Sequence, residues 1–357
     1  MKILIVGFAK IKYMPYLNLY LENIDREKND VHLVYWNRDM KEEDTKNLQG
    51  IALHEYCSLQ DDDAPKLSKL GSFKGFRDFN VSVLKEGFDF VIILHSLPGV
   101  LLSKELMKDY KNRYIFDYRD FTYENLLPYK SIIHTLVNNS YKTFVSSDAF
   151  RMYLPQSERV ITSHNVLKRD VNSEKVLNKT ASDKIRIAFW GFIREENTNL
   201  EIIRKLGNDE RFELHFYGRE QGICESLKRY ASENARNVYF HGEYIPEERD
   251  EFARNTDLIH NLYAENDMKL AVSNKYYDSL VYRIPQLVMK GSYMGVLAEN
   301  NGVGKALNPR SFDFAESIFT YYQSLNKESF ENNCRKALEK IKLQQKAVTD
   351  CVKNIGE

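Results

Sequence analysis

The stretch at 273–288, SNKYYDSLVYRIPQLV, holds polar residues whose types and spacing suit the binding of a phosphate and a sugar. Ser273 can cap a helix that runs to about residue 282. The unpaired N–H groups and positive dipole end of a helix start favour anions, so Asn274 and Lys275 would meet a phosphate there. Asp278 lies one turn further on the same face, where its carboxylate could accept hydrogen bonds from two sugar hydroxyls. Phosphate followed by sugar is the pattern expected of a nucleotide site.

The same residues also fit ordinary helix chemistry, because serine is a common N-cap and aspartate is common in helices. A second segment favours the ligand interpretation. Gly191 follows an apolar strand and permits close backbone approach, and Arg194 in the same loop could hold phosphate oxygens through two parallel hydrogen bonds. A surface ion pair of Arg194 with Glu195 or Glu196 is the alternative for this loop.

The overall composition excludes several classes of protein. A chain of 357 residues suits two domains, each with its own core. Lys+Arg 51 balances Asp+Glu 51, whereas nucleic-acid-binding proteins usually carry a basic domain. The cysteines are far apart and form no CxxC pair, so neither a zinc knuckle nor a disulfide framework is indicated, and a reducing cytoplasm fits best. They are Cys57, Cys224, Cys334 and Cys351.

The apolar segments are too short to be a signal peptide or a membrane span. The N-terminal run MKILIVGFAKIK is brief and reaches two lysines at once. The longest apolar stretch, 88–102, is interrupted by polar residues and a proline, and falls short of the roughly 20 residues that a spanning helix needs. We therefore expect a soluble protein that is at most peripheral to the membrane.

Short apolar strands alternate with helices along the first half of the chain. Lys2–Gly7 is an apolar run closed by a glycine, which is typical of a parallel strand buried on both faces. This alternation predicts βαβ units and a parallel sheet covered by helices, a Rossmann-like domain. The expected strands after the first are 31–36, 88–94, 113–117 and 143–146, and the expected helices are 15–24, 99–109, 129–139 and 148–153.

The polar segment 171–183, VNSEKVLNKTASD, has no periodicity and is the expected linker. The alternation restarts at Ile185, which predicts a second doubly wound α/β domain. The predicted organisation is an N-terminal domain over 1–170, the linker, a C-terminal domain over 184–326, and a closing helix in 327–357 that returns to the first domain. The expected strands of the second domain are 185–190, 213–217, 238–241, 258–261 and 286–289, and its helices are 198–206, 220–234, 247–254 and 273–282.

Ligands of parallel sheets bind beyond the carboxyl ends of the strands, so two such domains facing each other form one deep cleft. Gly7 follows the first strand, but the loop GFAK lacks the other glycines of GxGxxG, and the chain has no P-loop. These absences argue against a dehydrogenase and against a phosphoryl-transfer enzyme.

Two polar residues follow strands of the first half and are candidates for contact with a ligand. His95 ends an apolar strand, although a histidine in that position is also often a hydrogen-bonded core residue. Asp117 ends the next strand, and Arg119 beside it suggests a local ion pair as the alternative.

The second half of the chain resembles the donor-binding half of the GT-B glycosyltransferases. It is most similar to the family-four group, which makes bacterial capsules, exopolysaccharides and lipopolysaccharides. The segments that carry the resemblance, in family order, are FWGFIREEN, FELHFYGRE, NVYFHGEY, DLIHNLY and SNKYYDSLVYRIPQLV. In the first half, FDFVIILHSLPG is similar to the family's strand ending in histidine, and YKTFVSSDAFRMYL to its strand–serine–helix segment. The resemblance implies an α/β fold of two Rossmann-like doubly wound parallel-sheet domains facing across a cleft.

The resemblance also implies roles for residues of the second domain. Arg194 and Lys275 would neutralise the diphosphate of a nucleotide-sugar, helped by the helix start at Ser273 and Asn274. Asp278 stands at the position of the family's second glutamate, which holds the ribose hydroxyls.

The resemblance also implies contacts with the base and with the transferred sugar. The segment 242–244 would lie beside the base, with Tyr244 able to stack on it, and Gly191 would line the donor site. His95 would touch the transferred sugar or its leaving oxygen, and Asp117 is a candidate for contact with the acceptor.

The implied activity is transfer of a sugar from a nucleotide diphosphate sugar, with UDP-sugar as the first expectation, to a glycan or lipid-linked saccharide in bacterial surface polysaccharide synthesis. The resemblance favours retention of configuration without cofactor or bound metal, because Arg194, Lys275 and a helix dipole would stabilise the departing diphosphate. The acidic run 61–63 could be mistaken for a metal motif, but it lies in a polar stretch and fits a solvated loop.

Two alternatives stay open: one is motivated by a departure from the family pattern, and the other by a shared architecture. Leu270 stands where the family has its first glutamate, although Glu265 or Asp267 could substitute for it from the loop. A noncatalytic glycosyltransferase-like binding protein is therefore one alternative. A nonhydrolysing sugar-nucleotide epimerase is the other, and it would need acid/base carboxylates, for which Asp117 and Glu265 are the candidates.

The stretch 66–85, KLSKLGSFKGFRDFNVSVLK, mixes basic residues with leucines and phenylalanines. This mixture suits the surface of an anionic membrane, such as the inner face of the cytoplasmic membrane, where a lipid-linked acceptor would be found. A solvated helix or loop is the alternative.

Overall fold

The structure is a computed structural model that describes residues 1–60, 70–166, 180–219, 222–263 and 269–356. Contacts between residues divide the chain into two units. The first comprises Met1–His164 and Leu343–Glu357, and the second comprises Asn165–Lys342. Most of the expected linker, at 171–179, and the acidic run 61–63 lie outside the described residues.

The first unit contains a seven-stranded parallel sheet with the order β3-β2-β1-β4-β5-β6-β7. Its first strand lies between β2 and β4, with Ile3 opposite both Val31 and Phe90. The order reverses between β1 and β4, which is the doubly wound arrangement. The strands are β1 Lys2–Val6, β2 Asp30–Asn37, β3 Ile51–Cys57, β4 Phe90–Leu94, β5 Tyr114–Tyr118, β6 Lys142–Val145 and β7 Val160–Thr162.

Helices connect these strands. They are α1 Asn18–Leu21, α2 Leu70–Leu84, α3 Ser96–Leu101, α4 Ser103–Asp109 and α5 Leu127–Asn139, with 3-10 turns at Ile11–Tyr13, Pro15–Leu17, Lys46–Leu48 and Asp148–Tyr153.

The second unit contains a six-stranded parallel sheet with the order β10-β9-β8-β11-β12-β13. Its strands are β8 Ile185–Trp190, β9 Phe212–Tyr217, β10 Val238–Gly242, β11 Leu258–Asn261, β12 Gln286–Met289 and β13 Gly304–Leu307. Its helices are α6 Glu196–Leu206, α7 Ile223–Asn234, α8 Arg249–Arg254, α9 Asn274–Tyr282, α10 Tyr293–Asn300 and α11 Phe314–Gln323, with a 3-10 turn at Pro246–Glu248. Both sheets confirm the predicted fold class of two doubly wound α/β units.

The last helix, α12 Lys327–Lys353, contributes to both units. Its residues up to Lys342 belong to the second unit, where Phe330 and Cys334 are buried in an apolar cluster. Its residues from Leu343 belong to the first unit, where Val348 is buried in the cluster that contains the apolar side chains of β1.

Several elements differ from those predicted from the sequence. The helix expected at 15–24 is a 3-10 turn followed by the single turn α1, and the one expected at 99–109 ends at Leu101 and restarts at Ser103 as α4. Strands β3, β7 and β13 were not predicted.

The basic and aromatic stretch at 66–85 is α2 from Leu70 onward, and the residues before it lie outside the described part of the chain. Phe76 is fully buried and stacks on Trp36, and Arg77 pairs with Glu105 at 2.7 Å. Phe76 therefore contributes to the core, and membrane contact of this stretch stays a prediction. Among the helices of the described residues, none is both long enough and apolar enough to cross a bilayer.

Candidate functional site

Three glycines lie at the carboxyl ends of neighbouring strands of the second unit. They form a surface without side chains, here called the glycine floor. Gly191 follows β8, Gly218 follows β9, and Gly242 ends β10, and all three have positive φ. The Gly218 N–H donates to the Gly242 carbonyl at 2.6 Å, and the Gly191 N–H donates to the Tyr217 carbonyl at 3.0 Å. A Cβ at Gly218 would overlap the Gly191 carbonyl, so the close approach of the two loops requires glycine there.

Lys275 lies above this floor in the first turn of α9. A Cβ added to Gly191 would be 3.9 Å from Lys275 Nζ. Only 7% of the lysine is exposed, and its ammonium group lies 4.2 Å from the ring centre of Phe189 and 4.7 Å from that of Tyr263. Burial lowers the pKa of Lys275 to about 7, although the Asp278 carboxylate opposes this shift. Within the described residues, Nζ lies against these two ring faces. No carboxylate there forms an ion pair with this buried cation.

The N-terminus of α9 has no side-chain cap. Ser273 occupies the N-cap position, but its hydroxyl donates to Asn261 Oδ1 at 2.8 Å and does not accept from the first turn. The Ser273 side chain therefore caps none of the backbone N–H groups at the helix start, although its carbonyl accepts from the Tyr276 N–H at 3.1 Å. Asn274, the next residue, is exposed. The predicted grouping of Ser273, Asn274 and Lys275 at a helix start is what the structure contains.

Asp278 lies one turn deeper in α9, where two donors hold its carboxylate. The Trp190 indole N–H donates to Oδ2 at 2.7 Å, and Arg249 Nη1 donates to Oδ1 at 3.1 Å. These bonds fix the orientation of the carboxylate, whose oxygens can accept from hydroxyl groups. The sequence did not identify Trp190 or Arg249, because both contacts are made across the tertiary structure.

Arg194 is exposed on the loop between β8 and α6. Its guanidinium carbon lies 4.8 Å from the ring centre of Phe192, and its charge lowers the pKa of Lys275. Within the described chain, no ion pair of Arg194 with Glu195 or Glu196 is recorded, and Glu196 accepts instead from the Ser226 hydroxyl. The arginine is therefore placed to add positive charge beside the lysine.

Buried hydrogen bonds fix the loop that carries Arg194. Asn199 Nδ2 donates to the carbonyls of Arg194 and Glu195, and Asn199 Oδ1 lies 2.9 Å from His260 Nε2. His260 Nδ1 accepts from the Leu262 N–H, which assigns the ring proton to Nε2. Burial, with the nearby Lys275 charge, lowers the pKa of His260 to about 3, so the ring is neutral and holds the loop as a donor.

Tyr244 lies beside this cluster. Its ring packs edge-on against Phe252 at 5.0 Å, and burial raises the pKa of its hydroxyl, which also contacts Arg249. Because Arg249 binds Asp278, the ring of Tyr244 belongs to the same group of residues. The structure therefore brings together the seven predicted residues of the second unit, and whether Tyr244 stacks on a base stays a prediction.

Leu270, which replaces the expected acidic residue, is partly buried. Glu265 and Asp267, its proposed substitutes, lie outside the described residues.

In the first unit, His95 follows β4 with φ of 76° and ψ of 159°, a conformation that is rare for residues other than glycine. Its ring is held at both nitrogens. Nδ1 lies 2.8 Å from Asp120 Oδ2, and Nε2 is hydrogen-bonded to the Tyr16 hydroxyl. Burial holds the pKa of Tyr16 far above its usual value, so the phenol stays protonated. Tyr16 and Asp120 thus position the histidine, and Tyr16 was not singled out from the sequence.

Asp117 is completely buried below this site. It accepts from the Tyr20 hydroxyl at 2.7 Å and from Arg119 Nε at 2.9 Å, and the Arg119 guanidinium lies 4.3 Å from the ring centre of Tyr16. These contacts favour the predicted ion pair with Arg119, in which Asp117 supports Tyr16, over direct contact with an acceptor.

Lys10, in the loop after β1, is only 3% exposed and binds Asp39 Oδ1 at 2.6 Å. Glu43 lies 3.7 Å from the same ammonium group. The loop that replaces the glycine-rich sequence is therefore fixed by an internal ion-pair cluster, and Lys10 is not open to an incoming phosphate.

Known structures with the same fold were found along the whole chain. HepE of Anabaena, solved with UDP, is 13% identical over 98% of this chain and 99% of its own, with a TM-score of 0.69. The lipopolysaccharide outer core galactosyltransferase WaaB is 13% identical over 98% and 99% of the two chains, with a TM-score of 0.68. Sucrose-phosphate synthase of Thermosynechococcus elongatus is 8% identical over 98% and 96%, with a TM-score of 0.69.

The chain has the GT-B fold. This is the fold expected from the sequence resemblance, and it accounts for both parallel sheets. No protein-family model and no curated protein sequence matches the chain. At these identities the similarity concerns the fold, and the chemistry must be argued from the residues of this chain.

Proposed function

We propose that this chain is a glycosyltransferase that moves a sugar from a nucleotide diphosphate sugar to a glycan or lipid-linked saccharide acceptor. The observation that carries the proposal is the buried ammonium group of Lys275 above the glycine floor, at the uncapped start of α9. Desolvating a cation is costly, and a bound diphosphate would supply both its charge partner and an acceptor for the helix N–H groups.

The other charged residues suit the rest of such a donor. Arg194 can add a second cation at the diphosphate, and Asp278, oriented by Trp190 and Arg249, can accept from sugar hydroxyls. Among proteins of the same fold, HepE was solved with UDP and with UDP-glucose, which supports UDP-sugar as the first donor to test.

The proposed reaction passes through a transition state in which negative charge develops on the departing diphosphate. Lys275, Arg194 and the dipole of α9 would stabilise that charge, so the site itself supplies the cations that the step needs. We infer retention of configuration from the resemblance to the family-four enzymes. Following the anomeric proton of the product by NMR tests this, and an inverted product would contradict it.

His95 is the proposed contact of the transferred sugar, with Tyr16 and Asp120 holding its ring. His95→Ala should lower the transfer rate by about 100-fold while UDP affinity stays within about twofold. The matched variant His134→Ala, on α5, should change neither.

We further propose that the acceptor is part of a bacterial surface polysaccharide, as in WaaB, whose acceptor is lipopolysaccharide outer core. A lipid-linked acceptor would place the enzyme at the inner face of the cytoplasmic membrane. Sedimentation with anionic vesicles at low salt tests this, and full recovery in the supernatant would contradict it.

The donor site is tested by calorimetry with UDP, GDP, ADP, TDP and CMP. We expect one diphosphate to bind and to raise the Tm, because a ligand of the folded state stabilises it. Arg194→Ala and Lys275→Ala should each lower the affinity at least about tenfold, whereas Lys290→Ala, which removes an exposed lysine of the same unit, should not. If none of these nucleotides binds, the proposal is refuted. Binding without transfer over a broad acceptor panel would favour the noncatalytic alternative that Leu270 motivates.

A further inference from the structure

A second polar cluster lies in the first unit, at the edge of the sheet where the strands begin. His32 lies on β2, His54 lies on β3, and Glu86 precedes β4. His32 is buried, and the side chain of Glu86 is 44% exposed. This edge is opposite to the one that His95 follows, so the cluster is separate from the proposed transfer chemistry.

Four side chains of this cluster form a linear chain of contacts. Asp30 Oδ2 lies 3.1 Å from His32 Nε2, and His32 Nδ1 lies 2.8 Å from His54 Nε2. His54 Nδ1 lies 3.9 Å from Glu86 Oε1. The chain thus has a carboxylate at each end and two imidazole rings, stacked at 5.1 Å, between them.

The number of protons does not match the number of contacts. Each of the three contacts joins two groups that can both accept, so each needs one N–H hydrogen, but two neutral imidazole rings carry only two. Two contacts have hydrogen-bond lengths, and the contact with Glu86 is longer. One contact therefore lacks a hydrogen, and an ion held by ring nitrogens of His32 and His54 together with Glu86 would remove this mismatch, because it takes lone pairs where the contacts need hydrogens.

We propose that His32, His54 and Glu86 bind a divalent transition-metal ion, with Zn²⁺ as the representative ion. One ligand atom from each residue lies within 4.8 Å of the others. Ligands of one tetrahedral Zn²⁺ at bond lengths of 2.0–2.2 Å lie about 3.4 Å apart, so the exposed Glu86 would have to move inward by about 1 Å. Two histidines and a glutamate are a ligand set suited to zinc, with the fourth position left for water.

Asp30 would act as an outer partner of the metal site. It accepts from His32 Nε2, which leaves Nδ1 directed toward His54 and the metal. A metal-binding histidine commonly gives its second N–H to a carboxylate in this way, which fixes the ring and increases its basicity.

Lys2 is the group that competes with a metal at this site. Its ammonium lies 3.5 Å from Glu86 Oε2 and 4.5 Å from the ring centre of Phe88. A bound ion would share or replace this contact. Because the ligands come from β2, β3 and the residue before β4, the ion would join separate segments and stabilise the first unit.

The test is calorimetric titration of the full chain, after treatment with a chelator, with Zn²⁺ and with Co²⁺. We expect one ion per chain, a rise in Tm, and visible absorption typical of tetrahedral Co²⁺. His54→Ala and Glu86→Gln should lower the affinity at least 10–100-fold, and Asp30→Asn should lower it by about that factor, as loss of an outer partner does. Glu158→Gln and His134→Ala, both in the first unit, are the matched controls.

The exposed Glu86 keeps the test valid if a histidine variant fails to fold. Failure to bind either ion would overturn the proposal, as would binding that survives both His54→Ala and Glu86→Gln.

Discussion

At the scale of single residues, the buried lysine of the proposed donor site shows most clearly how a binding residue can lower the stability of the free protein. Lys275 is in the folded chain without a charge partner among the described residues, and its pKa falls from 10.5 to about 7. A group whose charged form is disfavoured by folding lowers stability below its unfolded pKa, and the cost is largest below its folded pKa. Such a cost is expected at a binding site, where the ligand removes it.

Replacement of this lysine by a neutral side chain of similar length should therefore stabilise the free protein. We expect Lys275→Met to raise the free energy of unfolding at pH 7 by at least about 1 kcal/mol, or about 2 °C in Tm, and to lower the affinity for a diphosphate at least about tenfold. Thermal unfolding and calorimetry measure both effects. The exposed Lys290→Met should leave Tm and binding unchanged, and a destabilised Lys275→Met would show that the ammonium has an internal partner.

The same pKa gives the sign of a pH effect on binding. The protonated lysine binds the diphosphate, so the affinity for a UDP-sugar should be highest below pH 7 and fall as the pH rises above it. Above pH 7 each binding event should also take up close to one proton. Calorimetry from pH 6 to 9, in buffers of different ionisation enthalpy, measures both quantities. In Lys275→Met the dependence should disappear, and an equally steep profile in that variant would assign the titration to another group.

At the scale of elements, the site depends on how closely the loops after β8 and β9 approach each other. Gly218→Ala would place a Cβ against the Gly191 carbonyl at a φ of 137°, so the two loops must separate. We expect a loss of more than about 2 kcal/mol in stability and a lower nucleotide affinity. Gly222→Ala, at the start of α7, is the matched control, because a Cβ there meets nothing within 4 Å. Equal Tm values for the two variants would contradict the close approach.

Elements were predictable from the sequence where their pattern is local and strong. β1 and β4 are continuous apolar runs, because parallel strands are buried on both faces. β3 was missed because it is an edge strand with an exposed or half-buried residue at nearly every position, and β13, GKAL, is too short and polar to be recognised.

The residues of the candidate site were likewise predictable where the signal is local in the sequence. The grouping of Lys275 with Asp278 could be predicted because a helix start and the i,i+4 spacing from Asn274 to Asp278 are properties of neighbouring residues. The contacts of Trp190 and Tyr16 could not, because each meets its partner only after the sheets have formed. Asp117 was selected for the end of a strand, whereas its complete burial is a property of the packed unit.

At the scale of the whole molecule, the last helix belongs to two cores. A chain that ends at Lys342 would lose Val348, Val352 and Ile355 from the apolar cluster around β1. Burial of each such side chain contributes about 1.5–3 kcal/mol, and the sum is comparable with the whole stability of a domain. We expect the first unit of this truncated chain to unfold at a much lower temperature, while the second unit keeps nucleotide affinity. Calorimetric unfolding with and without UDP separates the two transitions.

A pair of single substitutions in α12 tests the same coupling without truncation. Val348 is fully buried in the first unit, so Val348→Ala should lower its stability by about 2–3 kcal/mol. Leu343 is 70% exposed, so Leu343→Ala should change stability by less than about 0.5 kcal/mol. Because UDP stabilises only the unit that binds it, the transition weakened by Val348→Ala should be the one that UDP does not shift. If both variants weaken the UDP-dependent transition instead, the end of α12 supports the donor domain.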